Sequence, residues 1–128
     1  MEIFLRKRKL KEDVRGTFIE ILRREDTGIH EFGQLSISTA HPGQTKGGHY
    51  HKRKREWYYL IKGNAKLTFT NRITAETKEI FLNSTERQLI EIPINVIHTT
   101  TNIGPEELIL LVYITEPYYE KDPDTYTI

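Results

Sequence analysis

The chain has 128 residues, of which 19 are lysine or arginine and 18 are aspartate or glutamate, so the formal net charge is +1. This length predicts one domain, and the balanced charge argues against a general nucleic-acid binder, for which a strongly basic domain is expected. Because the chain lacks cysteine, a disulfide scaffold, a zinc ribbon and a thiol nucleophile are excluded, and any metal site must use histidine and carboxylate.

Short strands separated by turns are predicted along most of the chain. The predicted strands are runs of β-branched and aromatic residues, or runs that alternate between apolar and polar residues. They cover residues 17–22, 34–39, 56–61, 65–70, 78–82, 88–92, 96–101 and 108–115. The tripeptide Lys62-Gly63-Asn64 is a tight hairpin signal. This density of strands predicts an all-β fold, as a jelly roll or a small closed barrel.

The composition changes near residue 116, where the chain becomes polar, aromatic and interrupted by prolines. We therefore predict a barrel core over about 16–116 and a C-terminal tail over 117–128, within a single domain of residues 1–128. The tail is expected to leave the barrel and lie on the surface or on a partner subunit.

No apolar stretch approaches the roughly 20 residues of a membrane span, and no signal peptide is recognisable, so we expect a cytoplasmic protein without a membrane partner.

Three histidines and one glutamate form the pattern with the clearest chemistry. His49 and His51 are two residues apart, so on a strand their side chains share one face. Glu56 follows after a short loop, and His98 lies on a later predicted strand, just past a proline turn. Three imidazoles and one carboxylate suit Zn²⁺, Fe²⁺, Mn²⁺ or Ni²⁺, and this set leaves coordination positions open, as catalytic sites do.

The spacing of these residues resembles the two motifs of the cupin superfamily. The matching patterns are Gly43-x5-His49-x-His51-x4-Glu56-x6-Gly63 and Pro93-x-Asn95-x2-His98-x3-Asn102. Two positions depart from the second motif, because Asn95 and Arg87 stand where glycines are usual. Asparagine tolerates left-handed backbone angles, so we expect the turn to survive. The resemblance implies a double-stranded β-helix barrel whose four ligands point inward around a divalent metal, most often zinc.

A wider resemblance covers the chain from about residue 16 to the C-terminus. The segments that carry it are residues 15–22, 33–38, 42–51 and 122–126. They are similar to the RmlC-like C-terminal cupin domain of capsular polysaccharide-assembly sugar-nucleotide epimerases and reductases. In that family the cupin follows a short-chain dehydrogenase domain, binds zinc and epimerises a 4-keto sugar nucleotide at C3.

The resemblance implies a metal-dependent epimerase that abstracts the C3 or C5 proton of a 4-keto sugar nucleotide in surface polysaccharide biosynthesis. A 3,4-ketoisomerase begins with the same proton abstraction, so it stays an alternative. The chain has no dinucleotide-binding fingerprint, so a separate short-chain reductase is an expected partner. A non-catalytic cupin that binds metal and a sugar or nucleotide is therefore a second alternative. An iron dioxygenase is disfavoured, because a basic loop does not suit an apolar pocket for O₂.

Proton transfer requires a side chain near the substrate, and the sequence offers three candidates. Tyr58 lies two residues after Glu56 and should share its inward face. Tyr113 lies in the last long strand, and Lys66 begins the strand after the hairpin. For both tyrosines, the alternative is ordinary strand packing.

Basic residues near the predicted barrel mouth are candidate contacts for a substrate diphosphate. The candidates are Lys52, Arg53 and Arg55 in the loop between His51 and Glu56, and Lys46 and Arg15, each of which precedes a glycine. Part of the polar lining is expected from Gln34, Ser36, Ser38 and Thr68. We also predict a homodimer, in which residues 3–5 or the tyrosines at 118 and 119 form the contact and cover exposed strand edges.

Overall fold

The computed structural model describes residues 1–127, most of which lie in strands. The strands are β1 (Leu5–Lys7), β2 (Leu10–Asp13), β3 (Gly16–Ile19), β4 (Gln34–Ala40), β5 (Thr45–Tyr50), β6 (Glu56–Lys62), β7 (Asn64–Asn71), β8 (Thr77–Asn83), β9 (Gln88–Ile92), β10 (Val96–Asn102), β11 (Leu108–Ile114) and β12 (Tyr126–Thr127). The helical segments are α1 (Arg24–Thr27) and a 3₁₀ turn (Ser84–Glu86). The prediction of an all-β fold is confirmed.

Two five-stranded antiparallel sheets enclose the core. The first has the order β1-β9-β6-β11-β4 and the second has the order β12-β5-β10-β7-β8, while β2 and β3 form a separate hairpin. Leu67 and Phe69 of the second sheet pack with Ile90 and Leu110 of the first, and all four side chains are buried. Burial of each such side chain contributes about 2 kcal/mol, so this core holds the two sheets together.

A second apolar cluster covers the outer face of the first sheet. Trp57, Tyr59, Leu89 and Tyr113 are buried there, beneath apolar residues of the segment 19–22. Strand β6 is therefore buried on both faces, because alternate side chains enter the core and this outer cluster. The outer cluster borders a cavity of about 430 Å³.

In strand β4 the apolar side chains face outward and the polar side chains face inward. Leu35 and Ile37 are 57% and 64% exposed, whereas Gln34, Ser36 and Ser38 line a cavity between the sheets. This agrees with the expected polar lining for these three residues. Thr68 differs from that expectation, because it lies on the outer face of β7, between the buried residues Leu67 and Phe69.

The C-terminal segment returns to the barrel instead of leaving it. Strand β12 pairs with β5, and the Tyr126 ring stacks on Tyr50 at 5.3 Å between centroids. Strands β1, β2, β5 and β12 lie outside the predicted strands. β1 and β12 are short and pair with strands that are distant in sequence, whereas β2 forms a local hairpin with β3. The boundaries of the domain and tail stay predictions. Within residues 1–127, no helix is long and apolar enough to cross a membrane.

Candidate metal centre and its cavity

Three strands bring the four predicted ligands together. His49 lies near the end of β5 and His51 directly after it, Glu56 begins β6, and His98 lies on β10 opposite His49 in the antiparallel register. One ligand atom from each residue lies within 4.8 Å of the others. The imidazole centroids of the three histidines are 4.6 to 5.8 Å apart. These four side chains form what we call the His–Glu cluster.

A close approach of two strands positions this cluster. The register between β5 and β10 shifts directly after His98, opposite Gly47. Gly47 has a φ of 106°, and a Cβ at this position would lie 2.7 Å from the carbonyl oxygen of His98. Only glycine allows both this backbone angle and this approach. The irregular pairing thus brings His49 and His98 onto one inward face.

Unsatisfied buried atoms show that the cluster suits a metal ion. Nε2 of His51, Nε2 of His98 and Oε1 of Glu56 are buried and have no hydrogen-bond partner among the described residues. The two Nε2 atoms lie 3.5 and 3.1 Å from Oε1. Buried polar atoms in proteins are nearly always satisfied, so three converging unsatisfied atoms indicate a missing central partner. The cluster could therefore hold a metal ion.

The pKa values of two predicted ligands shift toward the forms that bind a metal. Burial would raise the pKa of Glu56, but contacts with His51 and His98 outweigh burial and lower it to about 2. Burial, with the nearby His98, lowers the pKa of His49. The pKa of His51 shifts the other way, because burial would lower it but the Glu56 carboxylate outweighs burial and raises it. At neutral pH Glu56 is therefore ionised and His49 is neutral, which are the forms that coordinate a cation.

Backbone carbonyls orient the two most buried imidazoles. Nδ1 of His51 donates to the carbonyl oxygen of Asp124 at 2.8 Å, and Nδ1 of His98 donates to that of Val96 at 3.1 Å. A proton on Nδ1 leaves the lone pair on Nε2, which faces the cluster. Such partners fix the tautomer and ring orientation of metal-binding histidines.

Asp124 also anchors the basic loop that joins two of the ligands. Its carboxylate accepts hydrogen bonds from the backbone amides of Lys52, Arg53 and Lys54, at 3.1, 2.9 and 2.8 Å. Asp124 is buried and has a φ of 42°, in the left-handed region. The sequence marked Asp124 only as part of the family resemblance. Its contact with His51 spans 73 residues, so no local pattern predicts it.

Replacement of Asp124 by alanine should weaken metal binding without removing any ligand. Loss of three loop contacts and displacement of the carbonyl that orients His51 should lower Zn²⁺ affinity by about 10–100-fold, as is usual for partners of metal ligands. Competition with a chelator measures this, and the Co²⁺ absorption spectrum reports the ligand geometry. Asp124→Asn keeps one acceptor and should be intermediate. Asp122→Ala, which removes an exposed carboxylate paired with Arg53, is the control; equal affinities for the two alanine variants would contradict this role.

The His–Glu cluster opens onto the cavity between the sheets, which has a volume of about 280 Å³. Its polar wall includes Gln34, Ser36, Ser38, Lys46, Lys54, Glu116 and Thr125. Its apolar wall includes Leu108, Leu110, Val112 and Ile114 of β11. This volume is near the lower end of the range for small-molecule sites, about 300–1,000 Å³. A sugar ring is of suitable size for such a space.

Tyr58 is the one proton-transfer candidate that faces the cluster. It shares the inward face of β6 with Glu56, and its ring lies 6.0 Å from the His98 ring, edge to face. Burial, and then the Glu56 carboxylate, raise the pKa of Tyr58 well above its ordinary value. Tyr58 therefore carries its proton at neutral pH, beside the cavity.

The other two candidates require correction, because strand alternation places them on the wrong faces. Tyr113 lies in the outer cluster, where its ring packs near Phe32 and Trp57 and its hydroxyl accepts a hydrogen bond from the Gly33 amide at 3.1 Å. Lys66 lies on the outer face of β7, between side chains that are fully buried in the core. Neither side chain faces the His–Glu cluster.

The two lysines among the basic candidates also differ in position, because one lines the cavity and the other is exposed. Lys46 lines the cavity, where its Nζ donates to Ser38 Oγ at 2.9 Å. Lys52 is exposed, with its Nζ 4.4 Å from the centre of the Tyr126 ring.

The three arginine candidates are each paired with other residues of the chain, and their contact with a substrate stays a prediction. Arg53 pairs with Glu116 at 2.8 Å, and Arg55 lies over the Trp57 ring and donates to the Thr27 carbonyl. Arg15 is exposed on the β2–β3 hairpin and pairs with Asp13. Lys54 belongs to the same basic loop but was not singled out as a substrate contact from the sequence, and it is 2% exposed and lines the cavity.

The two departures from the second motif preserve its turns. Asn95 has a φ of 59° and Arg87 a φ of 52°, so both adopt the left-handed backbone expected of glycine. The amide of Asn95 also donates to the carbonyl oxygen of His51 at 2.7 Å, which ties the turn to the cluster. The expectation that the turn survives is confirmed.

A family model for the polysaccharide biosynthesis C-terminal domain matches residues 11–126. The chain is 38% identical over 117 residues to a UDP-2-acetamido-2,6-beta-L-arabino-hexul-4-ose reductase of Pseudomonas aeruginosa. The match covers 91% of this chain and 30% of the reductase, so the chain spans less than a third of that relative.

Among the solved structures that share the fold, two are informative here. One is the capsular polysaccharide assembling protein CapF of Staphylococcus aureus, with a TM-score of 0.74 and 26% identity over 94% of this chain and 34% of CapF. The other is the dTDP-4-dehydrorhamnose 3,5-epimerase of Sulfolobus tokodaii, with a TM-score of 0.83 and 25% identity. That match covers 98% of this chain and 76% of the epimerase, so the whole barrel is shared.

Proposed function

Because the chain belongs to the polysaccharide biosynthesis C-terminal domain family and has the RmlC-like cupin fold that its sequence predicts, we propose that it is a metal-dependent epimerase of a 4-keto sugar nucleotide. The observation that carries the proposal is the His–Glu cluster, which opens onto a sugar-sized cavity with Tyr58 beside it. The similarity to a sugar-nucleotide reductase and a 3,5-epimerase supports this substrate class.

The proposed reaction removes a proton next to the ketone and returns it on the opposite face of the sugar ring. When bound at the His–Glu cluster, a divalent cation supplies a Lewis acid for the ketone oxygen. His49, His51, Glu56 and His98 are the proposed ligands, and three imidazoles with one carboxylate suit Zn²⁺. We assign the general-acid role to Tyr58, whose protonated hydroxyl would give a proton to the ring carbon.

The proposal also covers the oligomeric state, the cellular location and a partner enzyme. We propose a homodimer, a cytoplasmic location and a short-chain reductase as the partner that uses the epimerised sugar. The similarity to a reductase of which the chain covers 30% supports such a partner. The choice between epimerase and ketoisomerase depends on which carbon exchanges its proton and on the product.

Deuterium exchange tests the proposal. Zinc-loaded protein is incubated in D₂O with a UDP- or dTDP-linked 4-keto-6-deoxyhexose, and the C3 and C5 protons are followed by NMR. We expect exchange at one or both carbons, and loss of exchange when a chelator removes the metal. Tyr113→Phe should exchange like the unchanged protein, because Tyr113 lies in the outer cluster.

The result separates the candidate functions. Exchange with inversion supports the epimerase, while exchange followed by movement of the ketone to C3 supports the ketoisomerase. If metal-loaded protein binds the sugar nucleotide but shows no exchange, the epimerase proposal is wrong and the chain is a binding module.

A further inference from the structure

Lys54 is a buried cation without an acidic partner. The residue is 2% exposed, and its Nζ donates one hydrogen bond, to the carbonyl oxygen of Pro117 at 3.2 Å. The Tyr118 ring lies 5.8 Å from Nζ, and within residues 1–127 no carboxylate lies within 4.0 Å of it. Buried charges are usually paired, so this ammonium group lacks a counter-ion that a ligand can supply.

The neighbouring basic residues are either paired with a carboxylate or exposed, unlike Lys54. Arg53 and Arg55 pair with Glu116 and Glu91, and Lys52 is exposed. Lys54 alone in this loop is both buried and part of the cavity wall. Asp124 holds its backbone amide at 2.8 Å, so the position of the side chain is set by the fold.

The charges around the cavity also favour an anionic ligand. Lys46 and Lys54 both line it, and their ammonium groups donate to neutral oxygens of Ser38, Thr39 and Pro117. Within the described part of the chain, the carboxylates that line it are Glu56 and Glu116. Glu56 belongs to the His–Glu cluster, and Glu116 is paired with Arg53. Within the described residues, neither Lys46 nor Lys54 therefore has a carboxylate within 4.0 Å of its ammonium group, and the nearby Glu116 is shared with Arg53.

From this environment we propose that Lys54 binds a phosphate oxygen of the diphosphate in the substrate, an inference that rests on the proposed function and deepens it. An ammonium group with free N–H donors forms charge-assisted hydrogen bonds to phosphate oxygens, which are stronger than neutral ones. The phosphate would then supply the negative charge that the Lys54 ammonium lacks among its neighbours. This role accounts for the presence of a lysine in a nearly inaccessible position.

Binding of UDP and of uridine tests this role, because the two ligands differ by the diphosphate. Affinities of the metal-loaded protein are measured by titration calorimetry for the unchanged chain and for Lys54→Met, which keeps the length of the side chain and removes its charge. We expect UDP affinity to fall by about 10-fold or more in Lys54→Met, while uridine affinity stays unchanged. Lys54→Arg keeps the charge and should retain part of the affinity.

The control is Lys62→Met, which removes an equal charge from an exposed position at the other end of β6. Its UDP affinity should equal that of the unchanged chain. If Lys54→Gln, which keeps a donor for Pro117, and Lys54→Met both bind UDP normally, the phosphate contact is wrong. Failure of the unchanged chain to bind both UDP and dTDP would also overturn it.

The outcomes distinguish this inference from the proposed function. Lys54-dependent UDP binding without proton exchange would support the contact and contradict the epimerase. Proton exchange with normal UDP affinity in the Lys54 variants would support the epimerase and contradict the contact. If Lys54→Met lost only the exchange rate, the ammonium would face the reacting sugar ring and the phosphate assignment would be wrong.

Discussion

Replacement of His98 by alanine is expected to eliminate both tight metal binding and proton exchange. Structural zinc sites bind with about 10–16 kcal/mol, so one of four ligands contributes roughly 3 kcal/mol and its loss lowers affinity by about 100-fold or more. His98 is 1% exposed and its Nε2 lies 3.1 Å from Glu56 Oε1, so no solvent-exposed group can take its place without rearrangement. Chelator competition measures the affinity, and deuterium exchange measures the reaction.

The matched control is His41→Ala. The His41 side chain is 81% exposed and lies 3.8 Å from Glu107, outside the His–Glu cluster. Its removal should leave metal affinity and exchange unchanged. Equal metal affinities for the two alanine variants would show that His98 is not a ligand, and retained exchange in a metal-free His98→Ala protein would show that the reaction does not need the cluster.

Replacement of Tyr58 by phenylalanine should slow proton exchange by about 10²–10⁴-fold, the usual contribution of a general acid or base. The substitution removes one hydroxyl beside Glu56 and His98 and keeps the ring that packs against the His98 imidazole. Metal affinity should therefore change little. Exchange rates at saturating substrate, together with metal titrations, separate a lost proton donor from a damaged metal site.

Tyr113→Phe is the matched control, because it makes the same chemical change on the opposite face of the first sheet. It leaves the Gly33 amide without its hydroxyl acceptor and should lower the free energy of unfolding by about 1 kcal/mol. Its exchange rate should equal that of the unchanged chain. If both phenylalanine variants exchanged at the normal rate, Tyr58 would have no part in the proton transfer and another cavity group would carry it.

The strands of the barrel were largely predictable from the sequence, because strand propensity and alternation are local. Each predicted run overlaps an observed strand, and the hairpin at residues 62–64 joins β6 to β7. Strand β12 was not predictable, because two residues form a strand only through pairing with β5 and the stacking of Tyr126 on Tyr50. Such pairings over long sequence distances leave no local pattern.

The sequence by itself determined the set of four predicted metal ligands, His49, His51, Glu56 and His98. Residue types that bind metals, at a characteristic spacing, occur in two short motifs of the chain. Tertiary structure alone decided which remaining side chains meet this set. The alternation of side chains along a strand shows which residues share a face, but only the packing of the sheets decides which face lines the cavity. This packing therefore turns Tyr58 toward the cluster and Tyr113 away from it. It also buries Lys54, while Arg53 and Arg55 pair with carboxylates and Lys52 stays exposed.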